Sequence, residues 1–117
     1  MKANELRIGN LVTFNGKQII VSWEDVQFIM TSDFEKEYHK PIPLTEEWLL
    51  KFGGYIFNGW DDMKFWRFDK KFSIYIFELE VLNDGFYYGE TKVEFVHDLQ
   101  NCYYHNYNHK KELNLAQ

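Results

Sequence analysis

The sequence predicts an α+β fold, a twisted antiparallel sheet with two helices covering one side or end of it. Apolar and polar residues alternate along most of the chain, which is the period of β-strands. Helical spacing is confined to a short segment at 45–52 and to one that starts at about residue 96. A parallel sheet would need a long crossover for each strand pair, and only residues 45–52 offer one. The length of 117 residues predicts one globular domain, residues 1–117.

The strands are delimited by turn residues. Asn15-Gly16 separates two β-prone runs and suits the positive φ angles of a type I′ turn. Residues 26–31 are predicted as a third strand, and residues 33–38 as an exposed strand or a loop. Later strands are predicted between the turns at 58–59 and 83–85, in the ranges 55–57, 63–68, 72–81, 86–88 and 91–95. We expect about five to seven short strands in one sheet that curls toward a small barrel.

Two helices complete the predicted fold. Thr45 stands at an N-cap position, and the two glutamates after it lie where the helix dipole favours negative charge. Gly53 offers a left-handed stop after residue 52. The second helix is expected from residue 96 to about residue 113, because apolar side chains recur at helical spacing: Val96, Leu99, Tyr103 and Tyr107.

Composition favours a binding protein. Aromatic residues make up 20% of the chain, more than a small core needs, and Tyr and Trp are enriched where proteins bind partners. The formal charge is −5, and residues 73–101 alone carry it, with six acidic residues against one base. General nucleic-acid binders have the opposite pattern, a basic face that contacts phosphates. Nonspecific DNA or RNA binding is therefore disfavoured.

No pattern of residues points to catalysis, and we expect no enzyme activity, cofactor or metal. Glu78 and Glu80 would share one strand face, but charges that alternate with inward apolar residues indicate a solvated outer face. His105 and His109 lie four apart on the predicted helix, without the further ligands that a metal site needs. The single cysteine, Cys102, lacks an activating neighbour and is expected to be buried.

The candidate binding residues form two alternative sets. In the first, the acidic strands contact a basic groove of a protein or ribonucleoprotein, and the C-terminal helix adds an exposed aromatic patch; this set is Glu78, Glu80, Glu90, Glu94, Tyr104 and His105. In the second, residues 64–72 interleave bases with aromatics, as in surfaces that stack single-stranded RNA or DNA; this set is Lys64, Trp66, Arg67, Lys70 and Lys71. The same stretch also fits a half-buried hairpin whose rings enter the core.

The chain is predicted to work in the cytoplasm of its cell of origin and not in a membrane. No apolar run approaches the roughly 20 residues that a membrane-spanning helix requires. The first residues lead straight into charged sequence without the apolar core of a signal peptide.

Three segments resemble a group of small proteins encoded by bacteriophages and prophages. They are residues 1–10 (MKANELRIGN), residues 42–53 (IPLTEEWLLKFG) and residues 95–101 (FVHDLQN). The resemblance implies no catalytic residues. Small acidic phage proteins of this kind are similar to inhibitors of host defence, anti-CRISPR proteins among them. The resemblance therefore implies a non-enzymatic inhibitor of a bacterial defence machine such as a CRISPR effector. A structural or accessory phage protein is the alternative.

Overall fold

The computed structural model describes residues 5–31, 38–68, 77–107 and 112–115. These ranges form an α+β fold, as the sequence predicted. The strands are β1 (Leu11–Phe14), β2 (Lys17–Ile20), β3 (His39–Lys40), β4 (Tyr55–Asn58), β5 (Lys64–Arg67), β6 (Glu78–Leu82), β7 (Gly85–Tyr88) and β8 (Thr91–Val93). The α-helices are α1 (Trp23–Thr31), α2 (Glu46–Lys51) and α3 (Val96–Asn106).

The strands form two antiparallel sheets, and the expectation of one barrel-like sheet is wrong. The first sheet has the order β2-β1-β3, and the second is a meander in the order β4-β5-β6-β7-β8. Neither of the two sheets closes into a barrel. Within the described residues, α2 and the extended segment before it intervene in the chain between β3 and β4, and no hydrogen-bonded ladder joins those two strands.

The turn between β1 and β2 is confirmed. Asn15 and Gly16 have φ angles of 50° and 80°, and Phe14 pairs with Lys17 across the two-residue loop. Asn tolerates the left-handed region better than most residues and Gly adopts it freely, so this dipeptide sets the register of the hairpin.

The predicted strand at 26–31 is wrong, because these residues belong to α1. Ser22 caps the helix: its hydroxyl accepts a hydrogen bond from the Asp25 backbone N–H (3.3 Å), and the Asp25 carboxylate accepts one from the Ser22 backbone N–H (2.9 Å). This reciprocal arrangement is a capping box. Val26 is half-buried and Ile29 is buried, which is the i, i+3 spacing of an amphipathic helix. Residues 33–37, expected to be a strand or loop, lie outside the described residues.

His39 ties α1 to the first sheet. Its buried ring packs against Phe14 and Phe28, with centroid distances of 4.8 and 5.7 Å, and its Nε2 is 3.0 Å from an Asp25 oxygen. Burial by itself raises the pKa of Asp25, but hydrogen bonds from His39 and Ser22 outweigh it and lower that pKa. Asp25 therefore serves both the helix cap and the contact with β3.

The short helix at 45–52 is confirmed, and the C-terminal helix is shorter than predicted. Thr45 is the N-cap of α2 and accepts a hydrogen bond from the Trp48 backbone N–H, and Gly53 has a φ of 81°. The last helix, α3, ends at Asn106 instead of near residue 113. Residues 112–115 are not helical, and Leu113 is buried in the core. Burial of that side chain requires the chain to leave the helix axis, which periodicity alone does not reveal.

The core lies between the inner face of the five-stranded sheet and the two helices α2 and α3. Its fully buried members include Leu49, Phe77, Leu79, Val93, Val96 and Leu99. The third helix bridges both sheets: the Gln100 side chain accepts from the Leu11 backbone N–H (2.8 Å), and Tyr103 packs edge-on against Phe77 at 5.3 Å. The sheets are thus joined through one helix.

The described residues of the segments 1–10, 42–53 and 95–101 contact one another in this scaffold. Arg7 donates from Nε to the Asn101 side-chain oxygen at 3.0 Å, which joins the first segment to the last. The Val96 backbone N–H donates to the Ile42 carbonyl at 2.8 Å, which joins the last segment to the middle one. These contacts assign the described residues of the three segments to the frame of the fold.

Candidate functional site

The candidate binding surface is the outer face of the five-stranded sheet, the face that points away from α2 and α3. Side chains alternate along each strand, so the inner positions Trp66, Leu79 and Val93 enter the core while their neighbours point outward. The outer positions are Tyr55, Phe57, Phe65, Arg67, Glu78, Glu80, Leu82, Tyr87, Lys92 and Glu94. None of them belongs to the buried core of the described residues. They form one surface across all five strands.

A row of paired residues crosses this outer face in register. Phe57 pairs with Phe65, Phe65 with Glu80, Glu80 with Tyr87, and Tyr87 with Lys92. Directly paired side chains on one face lie about 5 Å apart, so aromatic rings flank a central carboxylate. The row presents three aromatic side chains on an outer sheet face, and aromatic residues are enriched in protein interfaces.

Arg67 organises a second row beside the first. Its Nε donates to a Glu78 oxygen at 2.9 Å, and its guanidinium lies 3.5 Å from the centroid of the Phe57 ring. Glu78 is thus partly neutralised by a cross-strand ion pair. Glu78 is less able to contact an external base than the sequence suggested, because a new contact must displace Arg67.

Three carboxylates lie around Tyr87, those of Glu80, Asp84 and Glu94. Among the described side chains, none forms a hydrogen bond or ion pair with Glu80 or Glu94. The Tyr87 hydroxyl donates to an Asp84 oxygen at 2.8 Å, and this hydrogen bond raises the pKa of Tyr87. The Lys92 ammonium lies 3.8 Å from an Asp84 carboxylate oxygen and forms an ion pair with it. The outer face therefore has an acidic end at Glu80, Asp84 and Glu94.

The four glutamates predicted to contact a partner are divided along the sheet. Glu80 and Glu94 belong to the acidic end of the outer face. Glu90 is exposed in the two-residue turn between β7 and β8, where Gly89 has a φ of 61°. That turn lies at the opposite end of β7 from Asp84. Because Glu78 is paired with Arg67, Glu80 and Glu94 are the two predicted glutamates that lie on the outer face without an ion pair to a described side chain.

Tyr104 and His105 lie on α3 and do not join the outer face. That helix packs on the inner face, through Leu99 and Tyr103. The Tyr104 ring is half-buried, and the Arg7 guanidinium covers it at 3.9 Å from the ring centroid. His105 is exposed next to it. Tyr104 is therefore less exposed than the sequence suggested, because Arg7 of the N-terminal segment packs on its ring.

The residues proposed for nucleic-acid stacking do not form an open platform. Trp66 is only 3% exposed and belongs to the core, so its ring has no free face for a base. Arg67 is held by Glu78, and Lys64 is exposed. In the described part of that stretch, residues 64–68, Trp66 and Phe68 are buried while Lys64 is exposed, as the alternative interpretation expected. Lys70 and Lys71 lie outside the described residues.

The structure contains no evident metal or nucleophilic centre within the ranges that it describes. No group of three or more potential ligands clusters there, and His109 falls outside those ranges. Cys102 is half-buried on α3 against the core, and burial raises the pKa of its thiol. His97 is buried beside Phe95, and burial lowers its pKa although Asp98 opposes this. The side chains described offer no nucleophile and base in the geometry of a catalytic pair.

Sequence reasoning missed Trp60, which is 89% exposed. It begins a single tight turn, Trp60–Asp62, between β4 and β5, in which the Asp61 backbone is non-helical. Asn58-Gly59 indicated a turn at this place, but a tryptophan is usually buried and so was not expected at the apex. Other exposed apolar side chains lie near this end of the sheet, at Phe57, Met63 and Leu82.

No protein-family model, no curated protein and no solved structure matches this chain. No helix in the described part of the chain is long and apolar enough to cross a membrane.

Proposed function

We propose that this protein is a non-enzymatic binding protein that docks the outer face of its five-stranded sheet on a basic protein surface. The observation that carries the proposal is the row across that face, in which aromatic rings flank Glu80 and the acidic end follows at Tyr87. Aromatic side chains supply contact area at low entropy cost, and carboxylates steer the approach of a basic partner.

The partner we propose is a nucleic-acid-handling machine of a bacterial host, such as a CRISPR effector ribonucleoprotein. Such machines carry basic grooves that attract phosphates, and an acidic surface competes for them by the same electrostatics. The formal charge of −5 and its concentration in residues 73–101 support this class of partner. The resemblance to phage proteins supports an inhibitory role in the cytoplasm of the host. The same resemblance also supports an alternative, a structural or accessory role in the phage.

The first experiment compares two variants that lose the same charge. Glu80→Gln with Glu94→Gln removes two carboxylates from the outer face, and Glu46→Gln with Glu47→Gln removes two exposed ones from α2. Both are measured by surface plasmon resonance against purified, guide-loaded CRISPR effector ribonucleoproteins of the host at low and moderate salt. We expect the outer-face pair to slow association severalfold and to flatten its salt dependence, because charges at an interface mainly affect the on-rate.

The control pair should associate at nearly the wild-type rate. Equal slowing by both pairs would mean that only the net charge matters, and would rule out the outer face as the docking surface. If the wild-type chain binds none of the effectors, the assignment of a CRISPR partner is wrong, and pull-down from phage-challenged cells then identifies the partner class.

Direct binding to single-stranded nucleic acid is the second candidate function. The specific feature in its favour is Phe57 with the Arg67 guanidinium above it, next to the exposed Lys64. The buried Trp66 and the central Glu80 weigh against it. Fluorescence anisotropy with labelled single-stranded RNA and DNA at about 50 mM salt tests it, because phosphate contacts are strong there. We expect no saturable binding.

A further inference from the structure

The connection between β4 and β5 presents Trp60 to solvent on a well-defined turn. The Gly59 backbone N–H donates to the Met63 carbonyl at 2.8 Å, and the Met63 N–H donates to the Trp60 carbonyl at 3.1 Å. Asp61 and Asp62 have φ angles of 55° and 60°, the left-handed region that few side chains adopt. Gly59 approaches Phe65 so closely that a Cβ there would lie 3.1 Å from the ring. The turn is therefore anchored on the sheet, and its conformation is set before any partner binds.

Residues 57–62 line an open groove of about 490 Å³. Its apolar part consists of the rings of Phe57 and Trp60, and its charged part of Asp61 and Asp62. Arg67 already lies against the Phe57 ring. In the described part of the chain, no ring or cation packs on Trp60. Trp60 is thus the available aromatic platform of the groove.

We propose that this groove binds an arginine side chain on the surface of the protein partner. A guanidinium stacks on the face of a tryptophan and donates hydrogen bonds to carboxylates, and the groove combines both kinds of group. The occupant is argued from charge complementarity: the turn contributes two carboxylates, and Glu94, which forms no ion pair with a described side chain, lies at the same end of the sheet. The proposal rests on the proposed function, because it names the group by which the basic partner is anchored.

The fold does not need the Trp60 side chain. A ring that is 89% exposed buries little apolar surface, so it adds almost nothing to the stability of the core. Tryptophan and arginine are among the residues most enriched at the energetic centres of protein interfaces. Exposed Trp60 and an incoming arginine form such a pair.

The test uses NMR and a defined peptide in place of the partner. A ¹⁵N-labelled protein is titrated in about 150 mM salt, the physiological ionic strength, with a glycine-serine peptide that carries two arginines, and with matched peptides that carry lysines or no charge. We expect the arginine peptide to shift the Trp60 indole signal and the backbone signals of residues 59–62. Trp60→Ala should weaken this binding about two- to fivefold, the range for a cation on an exposed ring.

Two further variants separate the contribution of the Trp60 ring to peptide binding from that of the neighbouring carboxylates. Trp23→Ala removes another exposed tryptophan, 57% accessible on α1, and should leave the titration unchanged. Asp61→Asn with Asp62→Asn keeps the ring and should weaken binding through charge. Unchanged affinity in Trp60→Ala, or peptide shifts confined to residues elsewhere, would overturn the proposal. If the lysine peptide or the uncharged peptide binds as tightly as the arginine peptide, the guanidinium is not the recognised group.

These results are separable from the test of the proposed function. If neutralising Glu80 and Glu94 leaves partner association unchanged while the arginine peptide still shifts Trp60, the groove stands and the outer-face docking fails. If partner association depends on Glu80 and Glu94 but Trp60→Ala binds both peptide and partner like the wild type, the outer face stands and the groove is refuted.

Discussion

Gln100 provides a sharp test of the scaffold that holds the outer face, because its buried amide joins α3 to the first sheet. Its side-chain oxygen accepts from the Leu11 backbone N–H at 2.8 Å, and its amide nitrogen donates to the Gly9 carbonyl at 3.3 Å. Only 4% of the residue is exposed. The substitution Gln100→Leu keeps nearly the same volume and removes both hydrogen bonds.

The expected loss of stability follows from the groups left behind. A buried N–H without a partner costs about 1–3 kcal/mol, and loss of the longer bond to Gly9 adds up to about 1 kcal/mol. Better burial of a leucine offsets about 1 kcal/mol of this. We therefore expect Gln100→Leu to lower the free energy of unfolding by about 2 kcal/mol. For a chain of this length that corresponds to a fall in Tm of about 8 °C.

Urea unfolding followed by circular dichroism measures this change. Gln18→Leu is the matched control, since Gln18 is exposed on β2 and its replacement should change stability by less than about 0.5 kcal/mol. A loss below about 0.5 kcal/mol in Gln100→Leu, at an unchanged m-value, would refute the view that this amide satisfies a buried backbone group.

Three further predictions concern the core, the buried histidine and the thiol. Trp66→Ala should cost about 3–5 kcal/mol in urea unfolding, while Phe57→Ala on the outer face should cost far less; similar costs would contradict the assignment of faces. The lowered pKa of His97 means that the unfolded chain binds its proton at a higher pH than the folded one. Stability should therefore fall as the pH drops from 6.5 toward the lower pKa of His97 in the folded chain. The variant His97→Gln should lose less stability than the wild type between pH 7.5 and 5.5. If the urea midpoints of the two proteins change in parallel with pH, His97 is not the source of the pH dependence. Cys102 should react with Ellman's reagent much more slowly in the folded protein than in urea, because burial raises the pKa of its thiol; equal rates would show that the thiol is accessible.

The scaffold and the candidate binding surface are carried by different parts of the chain. The segments 1–10, 42–53 and 95–101 contact one another through Arg7, Ile42, Val96 and Asn101. The outer-face residues and Trp60 come from the strands and turns between the last two of those segments. Such a division lets the exposed strands vary without loss of the fold, since their outward side chains contribute little to the core.

Local sequence was sufficient wherever one short segment controls its own conformation. Asn15-Gly16 predicted the first turn because only a few residues accept the positive φ angles found there. Thr45 predicted the start of α2 because its hydroxyl caps a backbone N–H three residues later. Alternation of apolar and charged residues along β6 predicted which side chains point outward, since successive residues of a strand face opposite sides. The α+β class followed from these local signals.

Tertiary structure decided the features that depend on residues far apart in the chain. Residues 26–31 satisfy a strand pattern and a helical one, and packing of Phe28 against Phe14 together with the Ser22 cap favours the helix. Which carboxylates stay unpaired depends on where cations arrive, as Arg67 does at Glu78 across the sheet. Burial of Trp66 and exposure of Trp60, six residues apart, follow from the register of β5 and the path of one turn. Sequence alone specifies the side chains available for binding, and the long-range contacts that offset the loss of chain entropy select which of them face a partner.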